Sequence, residues 1–177
     1  MTPTQPPGLR ADERGIYVAS RASDPTRPAM WRKLRAEGWP IVSSWIDEAG
    51  AGETASLSEL WSRIDREIRA SSGVIVYAEA DDFPLKGAYI EAGIALGAGL
   101  PVAVVLPGVE LAPRSDRPIG SWIRHPRVSI CATLEEARAA LTHPAVAMPD
   151  EVAYLFTDVQ SGDTEASTDP DHKPRHA

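Results

Sequence analysis

The sequence is poor in cysteine and has no long hydrophobic run, and each absence excludes a class of protein. Cys131 is the only cysteine, so no intrachain disulfide can form and no cluster of thiolates can hold zinc. No run approaches the roughly 18 to 20 apolar residues of a membrane-spanning helix, and the opening stretch MTPTQPPGLRADERG contains no hydrophobic signal core. We therefore expect a cytoplasmic protein with no membrane partner.

A surplus of basic residues is also missing. The chain carries a net charge of −7, and residues 150–177, with seven acids and two bases, account for −5 of it. The rest of the chain is close to neutral, whereas binding to duplex nucleic acid generally needs a basic surface that neutralises phosphates. We expect no polynucleotide partner, and a single nucleotide stays open as a ligand. His143, His172 and His176 have no ligand spacing with any acid cluster, so we expect no metal site. We also expect no cofactor.

The apolar segments of the chain alternate between strand and helix patterns. Residues 1–14 predict a disordered leader, residues 15–149 one α/β domain, and residues 150–177 an acidic, mostly disordered tail. Five short apolar runs predict buried parallel strands, at Ile16–Ser20, Pro40–Trp45, Gly73–Tyr77, Pro101–Leu106 and Val128–Cys131. With helical segments between them, they predict a flavodoxin-like (Rossmann-like) three-layer sandwich whose five-stranded parallel sheet has the order 2-1-3-4-5.

The predicted topology also indicates where a ligand would bind. In such a sheet the ligand crevice opens beyond the carboxyl ends of the strands, where the winding direction reverses. Here that point lies between the first and third strands, so the loops after Ser20 and Tyr77 should border the site. The small, glycine-rich stretch Asp47–Thr54 predicts a mobile loop over it.

One carboxylate lies in an unusual helical segment. Glu91 stands within GAYIEAGIALGAGLP, residues 87–101, where nearly all the other side chains are small or apolar. Such neighbours predict close packing on every side, and a buried charge needs partners. They argue against the alternative, which is an exposed glutamate on a solvent face.

Four segments together resemble the nucleoside 2-deoxyribosyltransferase family and its relatives that hydrolyse the N-glycosidic bond of nucleoside 5'-monophosphates. These are a first strand with a tyrosine (IYVAS), the helix RIDREI, the strand after a small-residue turn (SSGVIVY), and the helix G-x-x-x-E-x-G-x-A with a following G-x-P-V strand. The resemblance covers most of residues 15–141 and rests on the order and spacing of the segments. It implies that residues 15–149 form a deoxyribosyltransferase-like domain.

The resemblance implies roles for three residues. Glu91 would be the nucleophile that attacks the anomeric carbon and forms a covalent glycosyl-enzyme. Tyr17 would hydrogen-bond and orient that carboxylate, and Asp65 would hold the sugar hydroxyls or help to protonate the leaving base. A glycosidase of this kind uses two carboxyl groups, one to attack and one to protonate. The alternatives are a Tyr17 that lines the core and an Asp65 paired with Arg69 four residues on.

The chain departs from the family just before the nucleophile. The family commonly has an Asp-Gly-Thr type of approach there, whereas this chain reads DDFPLKGAYIE. Asp81 and Asp82 are the nearest candidates for the proton donor, and Lys86 is foreign to the pattern. We place Asp82 and Gly87 among the substrate-binding residues.

Other substrate contacts are expected around the crevice. Ser20 and Arg21 open the first loop, where the nucleotide hydrolases of the family have a similar Ser and Arg that hold the 5'-phosphate; a solvated loop is the alternative. Trp45 is placed to stack on a base or to pack in the core. The resemblance implies a homodimer or higher homo-oligomer in which Ser121 reaches the neighbouring subunit's site.

These residues predict cleavage of the N-glycosidic bond of a nucleoside or nucleoside 5'-monophosphate, by hydrolysis or transfer. Two other functions are compatible with the same crevice. One is a non-catalytic domain that senses a nucleotide-derived ligand, which would have no need of a buried nucleophile beside an orienting phenol. The other is a TIR-like domain that cleaves NAD and also relies on one glutamate.

Overall fold

The computed structural model describes residues 14–48 and 56–142 of the chain. Its helices and strands alternate along the chain as β1 (Ile16–Ala19), α1 (Thr26–Ala36), α2 (Leu57–Ala70), β2 (Gly73–Tyr77), α3 (Lys86–Gly97), β3 (Val102–Val105), β4 (Val128–Cys131) and α4 (Leu134–Thr142). Three short 3-10 helices lie between them, at Ser44–Asp47, Ala80–Asp82 and Ser121–Arg124. The predicted leader and tail fall outside the described residues, apart from Arg14, as does most of the loop predicted over the site. No helix in the two described ranges is long and apolar enough to cross a bilayer.

The four strands form one parallel sheet in chain order, β1-β2-β3-β4. Every residue of β1 and β3 is buried, as is most of β2, which explains their continuous aliphatic sequences. The strand β4 lies at the edge and is partly exposed. An α/β fold with a parallel sheet is therefore confirmed.

The prediction of a fifth strand at Pro40–Trp45 is wrong for the described residues. Ile41 forms only an isolated parallel bridge with Ile16, on the edge of β1 that β2 does not use, and the chain then turns into the 3-10 helix Ser44–Asp47. The Ser43 hydroxyl accepts from the Val18 N–H at 2.7 Å and donates to the Val18 carbonyl at 3.3 Å. A side chain thus satisfies the backbone groups that a neighbouring strand would have paired. With four strands, the predicted order 2-1-3-4-5 is not confirmed.

The helices α3 and α4 cover opposite faces of the sheet. The side chain of Tyr17 reaches α3, whereas a Cβ built on Gly73 would lie 2.8 Å from Leu141 of α4 and 2.8 Å from the Pro101 carbonyl. Tyr17 is in register with Val74, the neighbour of Gly73, and successive residues of a strand face opposite sides. Gly73 is therefore required where the chain packs closely against α4, and the opposite face receives α3.

Two helices begin with a side-chain cap. The Ser56 hydroxyl accepts from the Glu59 N–H at 3.3 Å at the start of α2, and the Thr133 hydroxyl accepts from the Glu136 N–H at 3.1 Å at the start of α4. Each bond satisfies a backbone donor that the first turn of a helix leaves free. The capped α2 turns Ile64 and Ile68 into the core.

Candidate functional site

The site is centred on Glu91, which α3 directs towards β1. Glu91 is 8% exposed, and its Oε1 lies 3.2 Å from the phenol oxygen of Tyr17, which is fully buried. The two residues are 74 positions apart in sequence, so the sheet and α3 bring them together. The expected geometry of a phenol beside the carboxylate is present, and the alternative of an exposed Glu91 is excluded.

Burial changes the protonation of both partners. Removal from water raises the pKa of Glu91 to about 7, and the hydrogen bond from Tyr17 opposes this rise. Burial, and then the negative charge of Glu91, raise the pKa of Tyr17. Tyr17 therefore stays a neutral phenol that can donate, and Glu91 changes its charge near neutral pH.

Glu91 opens onto a cavity of about 660 Å³ at the carboxyl ends of β1 and β2. One wall is apolar and is formed by Trp45, Leu57, Leu60, Trp61, Ile64 and Phe83. Polar groups lie around it on the loops after β1 and β2 and on the first turn of α3, at Ser20, Arg21, Asp81, Asp82, Lys86 and Gly87. An apolar wall with a few converging polar groups is typical of a site for a small organic ligand.

The two predicted ligand residues of the loop after β1, Ser20 and Arg21, form hydrogen bonds that hold this loop in place. The Ser20 hydroxyl accepts from the indole N–H of Trp31 at 2.9 Å. Arg21 donates from its Nη1 to the Asp81 carbonyl at 2.7 Å and from its Nε to the Ser23 hydroxyl at 3.3 Å. The loops after β1 and β2 therefore meet at the cavity, as the topology predicts.

The structure does not bring Asp65 to the cavity. Both oxygens of its carboxylate accept from Arg69 Nε at 2.9 Å, and the side chain is 42% exposed. Asp65 does not line the cavity. Consecutive helical residues are about 100° apart, so with Ile64 turned to the cavity, Asp65 lies to the side of it. The pairing of Asp65 with Arg69, which was the alternative, is the arrangement observed.

Asp82 lines the cavity, but its carboxylate is already engaged. Its Oδ2 accepts from Arg27 Nη2 at 3.1 Å and from the Glu79 N–H at 2.9 Å, and only 2% of the side chain is exposed. These bonds leave Asp82 poorly placed to donate a proton to a leaving base.

The two remaining predicted contacts lie in different settings. Trp45 lines the cavity with its indole N–H bonded to the Val18 carbonyl at 2.8 Å, so its ring is both a core group and part of the wall. Ser121 is exposed at the start of a 3-10 helix and does not line the cavity of its own chain. Among the described residues, no group of three His, Cys, Asp or Glu side chains is arranged to hold a metal.

Solved structures with the same fold are known. The chain has 16% identity and a TM-score of 0.52 with the 2-deoxyribosyltransferase of the psychrotolerant bacterium Bacillus psychrosaccharolyticus, over 72% of this chain and 95% of that one. It has 17% identity and a TM-score of 0.53 with the 2-desoxiribosyltransferase of Leishmania mexicana, over 75% of this chain and 99% of that one.

The fold is that of these 2-deoxyribosyltransferases. The resemblance found in the sequence is thus confirmed for the fold. A CMP N-glycosidase of Clostridium botulinum, BcmB, has 15% identity over 72% of this chain and 97% of that one, with a TM-score of 0.44. No family model matches the chain, and no curated protein matches it.

Several cavity residues were not predicted from the sequence. Trp61 looked like one more apolar residue of α2, and Glu48 fell at the edge of a glycine-rich loop, where it forms an ion pair with Arg63. Lys86 had a usable signal, because it is a charged residue at the start of an otherwise small and apolar helix. Ion pairs between distant segments, in contrast, leave no local pattern in the sequence.

Proposed function

We propose that the protein cleaves the N-glycosidic bond of a nucleoside or nucleoside 5'-monophosphate, by hydrolysis or transfer, through a covalent intermediate on Glu91. The observation that carries this proposal is the buried Glu91 carboxyl with Tyr17 at 3.2 Å, facing a cavity in a deoxyribosyltransferase fold. A carboxylate without bulk water around it is a strong nucleophile, and a neutral phenol fixes its orientation.

The reaction would take two steps. In the first, an oxygen of the ionised Glu91 carboxylate bonds to the anomeric carbon while the carbon–nitrogen bond breaks, and the base leaves with the bonding electrons and takes up a proton from solvent. In the second, water or another base attacks the same carbon and gives up a proton to solvent, while the bond to Glu91 breaks and its carboxylate is restored. The apolar wall, including Trp45, would hold the base by stacking and contact.

Some of the polar residues that line the cavity suit an anionic group on the sugar. Ser20, Arg21 and Lys86 supply a hydroxyl, a guanidinium and an ammonium there. Phosphate binds well to such donors, and Arg offers a fork that matches its oxygens. This supports a nucleoside 5'-monophosphate over a free nucleoside.

The decisive experiment incubates the purified chain with a panel of nucleosides, their 5'-monophosphates and NAD, and detects free base by chromatography. We expect base to be released fastest from a 5'-monophosphate. Release of nicotinamide alone would instead support a NAD-cleaving domain, and binding of a nucleotide without release of base would support a sensor.

Tyr17→Phe should lower kcat/KM by about 10- to 100-fold, because a hydrogen bond to a charged group contributes roughly 1.5 to 3 kcal/mol. The same bond lowers the pKa of Glu91, so its loss should also move the acid limb of the pH–rate profile to higher pH. Steady-state rates between about pH 5 and 9 measure both effects. A limb that stays in place while the rate falls would contradict an orienting bond to Glu91.

We also propose a homodimer or a higher assembly built from it. Ile90 is 53% exposed on α3, and Gly93 and Gly97 lie along the same exposed face with open space where a Cβ would be. Small residues permit another backbone to approach closely, and Ser121 of a second copy could then reach this cavity. Light scattering at micromolar concentration should give at least twice the monomer mass, and a monomer would remove the role of Ser121.

A further inference from the structure

Arg27 is a buried cation whose partners lie on another segment of the chain. It belongs to α1, is 8% exposed, and extends its guanidinium to the loop after β2. Arg27 Nη1 lies 3.0 Å from Glu79 Oε1, and Arg27 Nη2 lies 3.1 Å from Asp82 Oδ2. Asp24, in the loop after β1, is more distant, at 3.9 Å.

The surroundings of the guanidinium hold it in one position. It lies over the Tyr77 ring, with 5.2 Å from its central carbon to the ring centroid, and the Tyr77 hydroxyl donates to Glu79 Oε1 at 2.7 Å. Trp31 packs edge-on against the same ring and donates to Ser20 at the start of the first loop. The network therefore extends from the first cavity loop to the second.

A guanidinium in this setting is charged and geometrically demanding. Burial lowers the pKa of Arg27, but bonds and charges from Glu79 and Asp82 outweigh this effect and raise it. Buried charges are tolerated when they are paired, and the planar fork of arginine fixes where two carboxylates can lie. Glu79 and Asp82 are also joined to each other, since the Glu79 N–H donates to Asp82 Oδ2.

We propose that Arg27 is a positioning residue, which clamps the loop after β2 to α1 and so sets the distance between the two polar edges of the cavity. One edge carries Ser20 and Arg21, whose guanidinium donates to the Asp81 carbonyl, and the other carries Asp81 and Asp82 on the loop after β2. Arg27 itself does not line the cavity. The kinetic effects expected of this role rest on the proposed function, whereas the structural effects rest only on the contacts of Arg27.

The kinetic test replaces Arg27 with methionine, which keeps most of the packing volume and removes the fork. Tyr17 and Glu91 are held by β1 and α3, outside the clamp, so kcat should stay within about threefold, whereas KM for a 5'-monophosphate should rise by roughly 10- to 100-fold. Arg69→Met, which removes the exposed pair with Asp65, is the matched control and should change neither value. A fall in kcat with unchanged KM would overturn the proposal.

The structural test measures amide hydrogen exchange without any ligand. In Arg27→Met the amides of Glu79 and Asp82 should exchange at least about tenfold faster, while those of β2 stay protected. Arg69→Met should leave both sets unchanged. Uniformly faster exchange would mean a global loss of stability, and unchanged exchange at the loop would mean no clamp; either result refutes the proposal.

Two further variants keep the test decisive if Arg27→Met does not fold. Arg27→Lys retains the charge but reaches one carboxylate at a time, so it should restore part of the KM and part of the loop protection. Arg27→Met combined with Asp82→Asn removes one unpaired buried charge, and its loop exchange should resemble that of Asp82→Asn alone. If no base is released from any substrate, the exchange results still decide the role of Arg27, and the proposed function fails separately.

Discussion

Glu91→Gln should reduce the release of base by on the order of 1000-fold or more, while the dissociation constant of the substrate stays within about threefold. The amide has the shape of the carboxyl group and still accepts the hydrogen bond from Tyr17, so the cavity should keep its form. It cannot attack carbon, so the loss falls on the chemical step. Single-turnover rates and equilibrium binding of the same nucleotide measure the two quantities separately.

The matched control is Glu135→Gln, which makes the same chemical change on the exposed first turn of α4. It should leave both rate and affinity unchanged. If Glu91→Gln released base at the wild-type rate, the covalent route would be abandoned and the nucleotide-sensing alternative would become the better account. Accumulation of a glycosylated protein, detected by intact mass after rapid quenching, should occur with the wild type and be lost in Glu91→Gln.

The centre of the site was predictable because its signal is local. Glu91 interrupts a run of small and apolar residues, and such a charge has few explanations other than function. The tyrosine of β1 followed from the resemblance, and the position of the cavity followed from the parallel topology. The structure supplied the distance between Tyr17 and Glu91, which no spacing in the sequence defines.

The features that could not be predicted depend on distant partners. The segment at Pro40–Trp45 has the composition of a strand, but the Ser43 hydroxyl takes the hydrogen bonds of Val18 that a strand would have used. The i, i+4 spacing of Asp65 and Arg69 was visible in the sequence, yet the direction of Asp65 depends on which face of α2 packs. Asp82 could be placed near the site, but its pairing with Arg27, 55 residues away, left no local pattern.

The second large effect is on stability, and it follows from the cost of burying Glu91. Its pKa rises from about 4.5 to about 7 on folding, so between these values the unfolded chain releases a proton that the folded protein keeps. Stability therefore falls as the pH rises through this interval, and above about pH 7 the penalty is complete, at about 3 kcal/mol for a shift of this size. The presence of a carboxyl group that lowers stability in this way is consistent with a chemical role for Glu91.

Glu91→Gln removes the titrating group and with it the penalty. The variant should be about as stable as the wild type near pH 4.5 and more stable by about 3 kcal/mol near pH 8, which is roughly 6 to 12 °C in melting temperature for a chain of this length. Denaturant unfolding of both proteins at the two pH values measures the difference, with Glu135→Gln as the exposed control that should show none. An advantage of equal size at both pH values would mean that Gln merely packs better, and a variant less stable than the wild type near pH 8 would mean that the charged form of Glu91 is stabilised by its surroundings. Either result would contradict the expectation that the buried charge of Glu91 lowers the stability of the folded protein, because only a gain that depends on pH identifies that charge as the cause.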